Sequence, residues 1–376
     1  MGLASRLYRG ETTFNFVGRR WWGFGFSIVL LALTVGSLAF RGLNLGIDFT
    51  GGVAWEVPSS TVSVGDVEDV LSTRGIDVSS AKVQELTGAG GRRIRVQVGD
   101  QPADTVAAVR SDLATVAGVS SDAIGVASVS SSWGRSITEK AVRALLVFFV
   151  LVSLFIAWRF EWKMALAAFA SLVHDVVISV GVYSLTGVTV SPATVVAFLT
   201  ILGYSLYDTI VVFDKVHDNA GRLAAVQRVS YGDVVNLSMN QVLMRSLNTS
   251  ISSLLPVLSL LLLGSVAFGV ESLRDFALAL FVGLALGAYS SIYVAAPLLA
   301  ILKLREPRWA GDFVDLKTGE AMAELGRVRR SSDGRRERLA DDQRPAAGTP
   351  APAESVTTVS AVLAHPPRPR KKKRRV

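Results

Sequence analysis

Long apolar blocks separated by short polar stretches dominate the pattern along the chain. A bilayer core about 30 Å thick is crossed by around 20 mostly apolar helical residues. Six blocks approach or exceed that length: residues 22–40, 141–158, 164–185, 192–213, 247–268 and 276–302. The first follows Arg19 and Arg20, as a signal peptide would, but its apolar run is long and opens on aromatic residues. Arg41-Gly42-Leu43 follows it in place of a small-residue cleavage site, so it reads as an uncleaved span.

Between the first two blocks the period changes. Val53, Trp55 and Val57 alternate as in a strand. Residues 63–74 read as a helix with Ser63 as cap, Asp66 in its first turn and Gly75 as its stop. Residues 81–86 and 93–98 alternate around Gly88-Ala89-Gly90-Gly91, which predicts a hairpin. A second helix over 102–116, with Pro102 in its first turn, and a weaker strand over 124–129 complete a β-α-β-β-α-β order. That is the ferredoxin-like arrangement, and about 90 residues can bury one modest core.

The expected fold class is therefore a polytopic α-helical membrane protein with six transmembrane helices and one extracytoplasmic ferredoxin-like α+β domain. Its organisation reads as a cytoplasmic N-terminus over 1–21, a first transmembrane helix over 22–41 and the outer βαββαβ domain over 42–138. A five-helix transmembrane bundle over 139–302 and a basic, mostly disordered cytoplasmic tail over 303–376 follow.

Charge sets the orientation. The net charge of +8 suggests nucleic acid until its location is considered. Residues 303–376 carry 18 Lys/Arg against 10 Asp/Glu, whereas residues 42–138 carry 7 against 11. Arg6, Arg9, Arg19 and Arg20 lie in the leader, and Lys215, Arg222, Arg228 and Arg245 lie in the connection 214–246. The connection 186–191 has no charge. Lys and Arg mark cytoplasmic loops, so both termini are expected in the cytoplasm. Lys140 and Arg143 at the outer end of the second span are outnumbered, and their long side chains can snorkel. The run Arg370–Arg375 is expected to meet anionic lipid or ribosomal RNA, on a Pro/Ala/Ser/Thr-rich tether.

The chain lacks cysteine, and the outer segment offers no metal cluster and no nucleophile–base pair. No enzyme activity, metal or cofactor is expected. The informative residues lie inside the spans, where an ionisable group costs at least about 2.5–3.5 kcal/mol at the helix centre. His174 and Asp175 lie in the third span and Asp208 in the fourth, with Gly203, Tyr204 and Ser205 one turn before it. Arg245 opens the fifth, followed by Asn248, Thr249, Ser250, Ser252 and Ser253. Asp208 is expected to face Arg245, which stays charged, so the aspartate would be the titrating partner in proton passage. The rival is a static ion pair holding helix register, and His174-Asp175 can equally be a cap or a bond to a neighbouring helix. Asn248, Thr249 and Ser252 are more often helix–helix glue than a transport path.

Four strings carry a resemblance: FRGLNLGIDFTGG (40–52), LGYSLYDTIVVFDKVHDN (202–219), MNQVLMRSLNTSISSLLPVL (239–258) and YSSIYVAAPL (289–298). They resemble, in order and spacing, the motifs of the SecD/SecF family of protein-export membrane proteins. Six spans in place of a fused twelve point to its SecF branch. The first string holds Gly46, Asp48, Gly51 and Gly52 of the family's motif at the exit of the first span. The resemblance implies half of an RND-type transporter, completed by the homologous SecD. It implies use of the proton motive force to assist export of a preprotein through the SecYEG channel after the ATPase SecA has pushed. The family's proton-pathway aspartate and arginine fall on Asp208 and Arg245. The rivals are a proton-coupled exporter of a small molecule or lipid, and a passive assembly factor of the export complex.

Overall fold

The computed structural model describes residues 12–58, 62–88, 91–223, 229–263, 271–304, 306, 309 and 316–326. Helix α1 (Arg20–Arg41) leads through a single helical turn, Ile47–Thr50, into strand β1 (Gly52–Pro58). Then follow α2 (Val64–Thr73), β2 (Lys82–Gly88), β3 (Gly91–Val98), α3 (Ala103–Ala117) and β4 (Gly125–Val129). The helices α4 (Ser131–Arg159), α5 (Trp162–Thr186), α6 (Pro192–Leu223) and α7 (Tyr231–Leu262) come next. Helix α8 (Glu271–Ser290) passes through a π-helical turn, Ser291–Ala295, into α9 (Ala296–Lys303).

Among the described residues, five helical stretches are long and apolar enough to cross a membrane: α1, α4, α5, α6 and Leu273–Lys303. Of the block expected at 247–268, the part up to Leu262 is helical and belongs to α7, while residues 264–268 lie outside the described residues. The N-terminal residues 1–11, the turn residues 89–90 and the tail beyond residue 326 also lie outside them, with its tether and basic run.

The four strands form one antiparallel sheet in the order β2-β3-β1-β4. Alternation sends Val53, Trp55, Val57, Ile94 and Val96 to one face, where they meet Val67 and Leu71 of α2 and Val109 and Leu113 of α3. Trp55 is fully buried, and its indole N–H donates to the Val106 carbonyl at 3.4 Å. Ser63 caps α2 in a reciprocal box with Asp66, so two orphan amides at the helix start are satisfied. Pro102 sits one position earlier than expected, as the residue preceding α3.

The largest departure from the sequence reading is the connection 214–246. Helix α6 runs on to Leu223 and α7 begins at Tyr231, so most of that connection is helix. Apolar content marks where a chain can be buried in lipid, whereas a helix ends where its cap is. Here the cap is Ser230, boxed with Asp233. The first ten residues of α7 are buried on all sides. Asn240 exchanges 2.8 Å bonds with both backbone groups of Phe14, and Asn236 accepts from the Val17 amide at 2.9 Å. The second span likewise starts early, since α4 begins at Ser131 inside the segment expected to belong to the outer domain.

The first-span motif is a backbone junction. The Gly46 amide donates to the Val190 carbonyl at 2.9 Å, and Leu45 bridges Val190. Asp48 sits half-buried in the turn between Gly46 and Gly51. Gly51 (φ +75°) and Gly52 (φ +113°) take left-handed conformations that favour glycine. A Cβ on Gly51 would lie 2.4 Å from the Ser131 Cα, and one on Gly52 would lie 2.1 Å from the Val98 carbonyl oxygen. The motif thus joins α1, the sheet and the start of α4.

Gly52→Ala is expected to lower stability by at least about 1 kcal/mol from its backbone conformation alone, read as a fall in melting temperature of the purified protein. Gly99→Ala, where an added Cβ meets nothing within 4 Å, is the control and should be close to neutral. Equal effects would contradict the junction.

The sheet domain should also respond to acid. The Asp66 carboxyl is held below its usual range by the Ser63 amide and then the Ser63 hydroxyl, and Asp112 by its bond to the Arg74 guanidinium. Groups lowered in this way stabilise the fold above their unfolded value of 3.8 and lose that contribution as pH falls through the folded value. The melting temperature of the domain, followed by Trp55 fluorescence with the other tryptophans changed to phenylalanine, should therefore drop below about pH 4. A flat profile between pH 6 and pH 3 would refute it.

Candidate functional site

Helices α5, α6, α7 and α8 converge on two buried carboxylates. Asp175 of α5 is 1% exposed and Asp208 of α6 is 8% exposed. Each is reached from its own helix face by spacing. Ser205 and Asp208 lie three residues apart on α6 and share a face, while His174 is the immediate neighbour of Asp175. Both carboxylates lean on α8. Ser290 and Ser291 are adjacent at the start of the π-helical turn, and adjacent helical residues point about 100° apart. Ser290 accordingly turns to Asp175 and Ser291 to Asp208. The turn suits the sequence here, because Pro297 has no N–H to continue an α-helical ladder; the Ala296 amide bonds instead to the Ser291 carbonyl, five residues back.

Asp175 accepts from Ser205 at 2.6 Å and Ser290 at 2.7 Å, both on Oδ2, while its Oδ1 lies 3.0 Å from His174 Nδ1. The other ring nitrogen, Nε2, lies 3.0 Å from Ser27 Oγ on α1. Ser27 lies 3.0 Å from the Tyr289 hydroxyl, which donates to the Gly23 carbonyl at 2.7 Å. His174 and Asp175 are thus part of a chain of polar groups running from α1 through α5 to α6 and α8.

Asp208 accepts from Ser246 of α7 at 2.6 Å on Oδ1, and from Ser291 on Oδ2. The pairing of Asp208 with Arg245 expected from sequence is not formed. Arg245 is exposed and donates to the Tyr207 hydroxyl at 3.1 Å. The reason is helical geometry: with Ser246 turned inward, its neighbour Arg245 points about 100° away. Asn248 is exposed, and Thr249 bonds back to the Arg245 carbonyl at 2.8 Å, so neither joins the two carboxylates.

Sequence reasoning singled out both aspartates, His174 and Ser205, one turn before Asp208, but missed Ser27, Ser246, Tyr289, Ser290 and Ser291. A signal did exist, since Tyr289-Ser290-Ser291 interrupts an otherwise apolar block. Among the described residues, no group of three His, Cys, Asp or Glu could hold a metal ion. An open cleft of about 500 Å³ between α2 and α3 is lined by Asp66, Asp69, Arg74 and Asp112, and Arg74 already pairs with Asp112 at 2.6 Å.

A hydroxyl bond to a neutral partner contributes about 0.5–1.5 kcal/mol, and Asp208 is the shared partner of the Ser246 and Ser291 hydroxyls. Ser246→Ala and Ser291→Ala are therefore each expected to destabilise the protein more in the wild-type background than in Asp208→Ala. Double-mutant cycles read from denaturation in bilayer mimetics at neutral pH measure this, and zero coupling would separate the hydroxyls from the carboxylate.

Comparison with known proteins agrees with this architecture. Residues 109–305 match the family model described as protein export membrane protein SecD/SecF, C-terminal, and residues 36–53 match the SecD/SecF GG motif. The chain is 42% identical over 308 residues to the protein translocase subunit SecF of Streptomyces coelicolor, covering 81% of each chain. It is 34% identical over 308 residues to the SecF subunit of Pseudomonas aeruginosa, covering 81% of this chain and 97% of that one. Among solved structures it resembles SecDF, a translocon-associated membrane protein from Thermus thermophilus, at 33% identity and a TM-score of 0.69. That similarity covers 81% of this chain and 40% of the longer SecDF chain. With a family model matching over half its length and these relatives, the chain belongs to the SecD/SecF family of protein-export membrane proteins.

Proposed function

We propose that this chain is an accessory subunit of the Sec translocase that uses the proton motive force to promote late steps of protein export. The observation that carries the proton-driven part is the environment of Asp208. It is a buried carboxylate held by two neutral hydroxyls, with no cation in ion-pair range among the described residues. A charge so placed is costly in a membrane and is neutralised by taking up a proton. Arg245 stands one helical position from the residue that now bonds Asp208. A rotation of α7 by about 100° exchanges Ser246 for Arg245 against the carboxylate. In this scheme a protonated Asp208 rests against Ser246 and Ser291, and an ionised Asp208 draws Arg245 inward. Each proton crossing down the potential supplies about 2.3 kcal/mol per 100 mV to that movement.

The fuller assignment follows the family. In this reading the chain has six spans, with α7 contributing the fifth, in the bacterial inner membrane, and the Lys/Arg distribution supports cytoplasmic termini. The βαββαβ segment, with its β2-β3-β1-β4 order, is a ferredoxin-like outer domain that engages the emerging preprotein. A SecD-type subunit completes the transporter, in line with the fused SecDF neighbour. SecYEG is the channel served, SecA acts before it, and the basic tail meets anionic lipid or the ribosome.

In cells depleted of the endogenous protein, the wild-type chain is expected to restore processing of a secretory precursor. Asp208→Asn, at equal membrane level, should not. Restoration by both would leave the export role and remove the proton step through Asp208. Restoration by neither, in the chain's own host, would favour export of a small molecule.

A further inference from the structure

The hydrogen bonds around His174 can be counted proton by proton, and the count leaves a proton over. The Tyr289 hydroxyl has one hydrogen, and it is given to the Gly23 carbonyl at 2.7 Å. The 3.0 Å contact between Ser27 and Tyr289 must then use the Ser27 hydrogen. With that hydrogen spent, Ser27 Oγ can only accept from His174, so Nε2 carries a proton. The remaining nitrogen, Nδ1, faces a carboxylate oxygen at 3.0 Å, and two acceptors do not sit at that distance without a proton between them. Asp175 Oδ2 is already occupied by the hydroxyls of Ser205 and Ser290.

We propose that His174 and Asp175 bind one exchangeable proton between them, and that its loss is read by α1 through the chain Ser27–Tyr289–Gly23. This deepens the proton-driven reading by adding a second proton site to that of Asp208. In the loaded form, Nε2 is protonated and a further proton bridges Nδ1 and Oδ1, which makes the pair neutral overall. Unloading removes the Nε2 proton to water. Nδ1 keeps its hydrogen against the carboxylate, and Nε2 becomes an acceptor. Ser27 then turns its hydrogen to Nε2, and Tyr289 turns its own to Ser27. The Gly23 carbonyl is released, and the pair carries one negative charge.

The release falls at a close approach of backbones. A Cβ on Gly23 would lie 2.9 Å from the carbonyl oxygen of Tyr293 in the π-helical turn, and Tyr293 stacks on Tyr289 at 5.5 Å. The proton state of α5 thereby reaches the contact between α1 and α8, the helix whose next residues, Ser290 and Ser291, bond Asp175 and Asp208. Few other charges face the pair. Helix α1 presents Ser27 and has no ionisable group between Arg20 and Arg41, and α4 has none between Arg143 and Arg159. Helix α6 presents Ser205 and, three residues on, Asp208. Arg274 and Asp275 of α8 are about four turns from Ser290, on the order of 22 Å along the axis. Lys303 of α9 pairs with Glu161 and Glu306. Among the described residues, the buried hydroxyls of Ser171 and Ser179, one turn to either side of Asp175, have no partner and offer bonds to a water that carries the proton.

The test is solid-state NMR of the full chain with its SecD-type partner in lipid bilayers, with the histidine rings of this chain alone labelled by ¹⁵N. The sequence has three histidines, so His217→Gln and His365→Gln leave the signal of His174 alone. At low pH, Nε2 is expected to show a directly bonded hydrogen, and as pH rises that hydrogen should be lost while Nδ1 keeps one. An Nε2 hydrogen retained at every pH, or missing at every pH, overturns the proposal. Asp175→Asn should abolish the bridging proton and with it this order of loss; an unchanged profile overturns the pairing. Tyr289→Phe frees the Ser27 hydrogen, so Nε2 should lose its hydrogen at lower pH than in the wild type. No shift there would remove the hydroxyl chain as the reader. Asp208→Asn should leave the His174 profile in place, so Asp208 can fail in the export assay without affecting this result.

Discussion

Placing two carboxylates inside an apolar helix bundle imposes a demand that much of the central structure answers. Each must be met by donors that are themselves buried, because no water competes for them in hydrocarbon. Four hydroxyls answer directly, from Ser205, Ser246, Ser290 and Ser291, and they come from three different helices. The helices therefore cannot rotate or slide independently without exposing an acceptor. The π-helical turn at Ser291–Ala295 fits the same demand, because it lets two adjacent residues serve two different carboxylates just before Pro297 ends the regular ladder.

Hydroxyls differ from guanidinium or ammonium groups in one respect that matters for function. They hold a carboxylate without neutralising it, and each hydroxyl can reverse its role from donor to acceptor. A site built from them offers a bond to either form of the acid, charged or protonated. Arg245 is kept outside by one step of helical geometry. The buried start of α7 is gripped through Asn236 and Asn240.

At the junction with the sheet the constraint is steric. Gly51 and Gly52 take left-handed backbone conformations against Ser131 and Val98, so the sheet is seated on α1 and α4 with no room for side chains between them. The spans and the sheet are thereby joined through backbone contacts instead of a loose linker.

Much of this was legible in the sequence. Spans appear because twenty apolar residues have few other uses, and the sheet elements appear because alternation, capping residues and glycine turns act over a few neighbours. Ser63 with Asp66, and Trp55 between Val53 and Val57, are signals of that local kind. Asp175 and Asp208 could be singled out for the same reason, since their cost in lipid depends only on the span that carries them. What the sequence could not decide was which residues answer them. Ser290 and Ser291 lie more than eighty residues from Asp208, and a serine reads alike whether it bonds its own helix or another. Choosing Ser246 over Arg245 turns on a single 100° step, below what hydropathy resolves, and only the packing of α7 against α6 and α8 decided it.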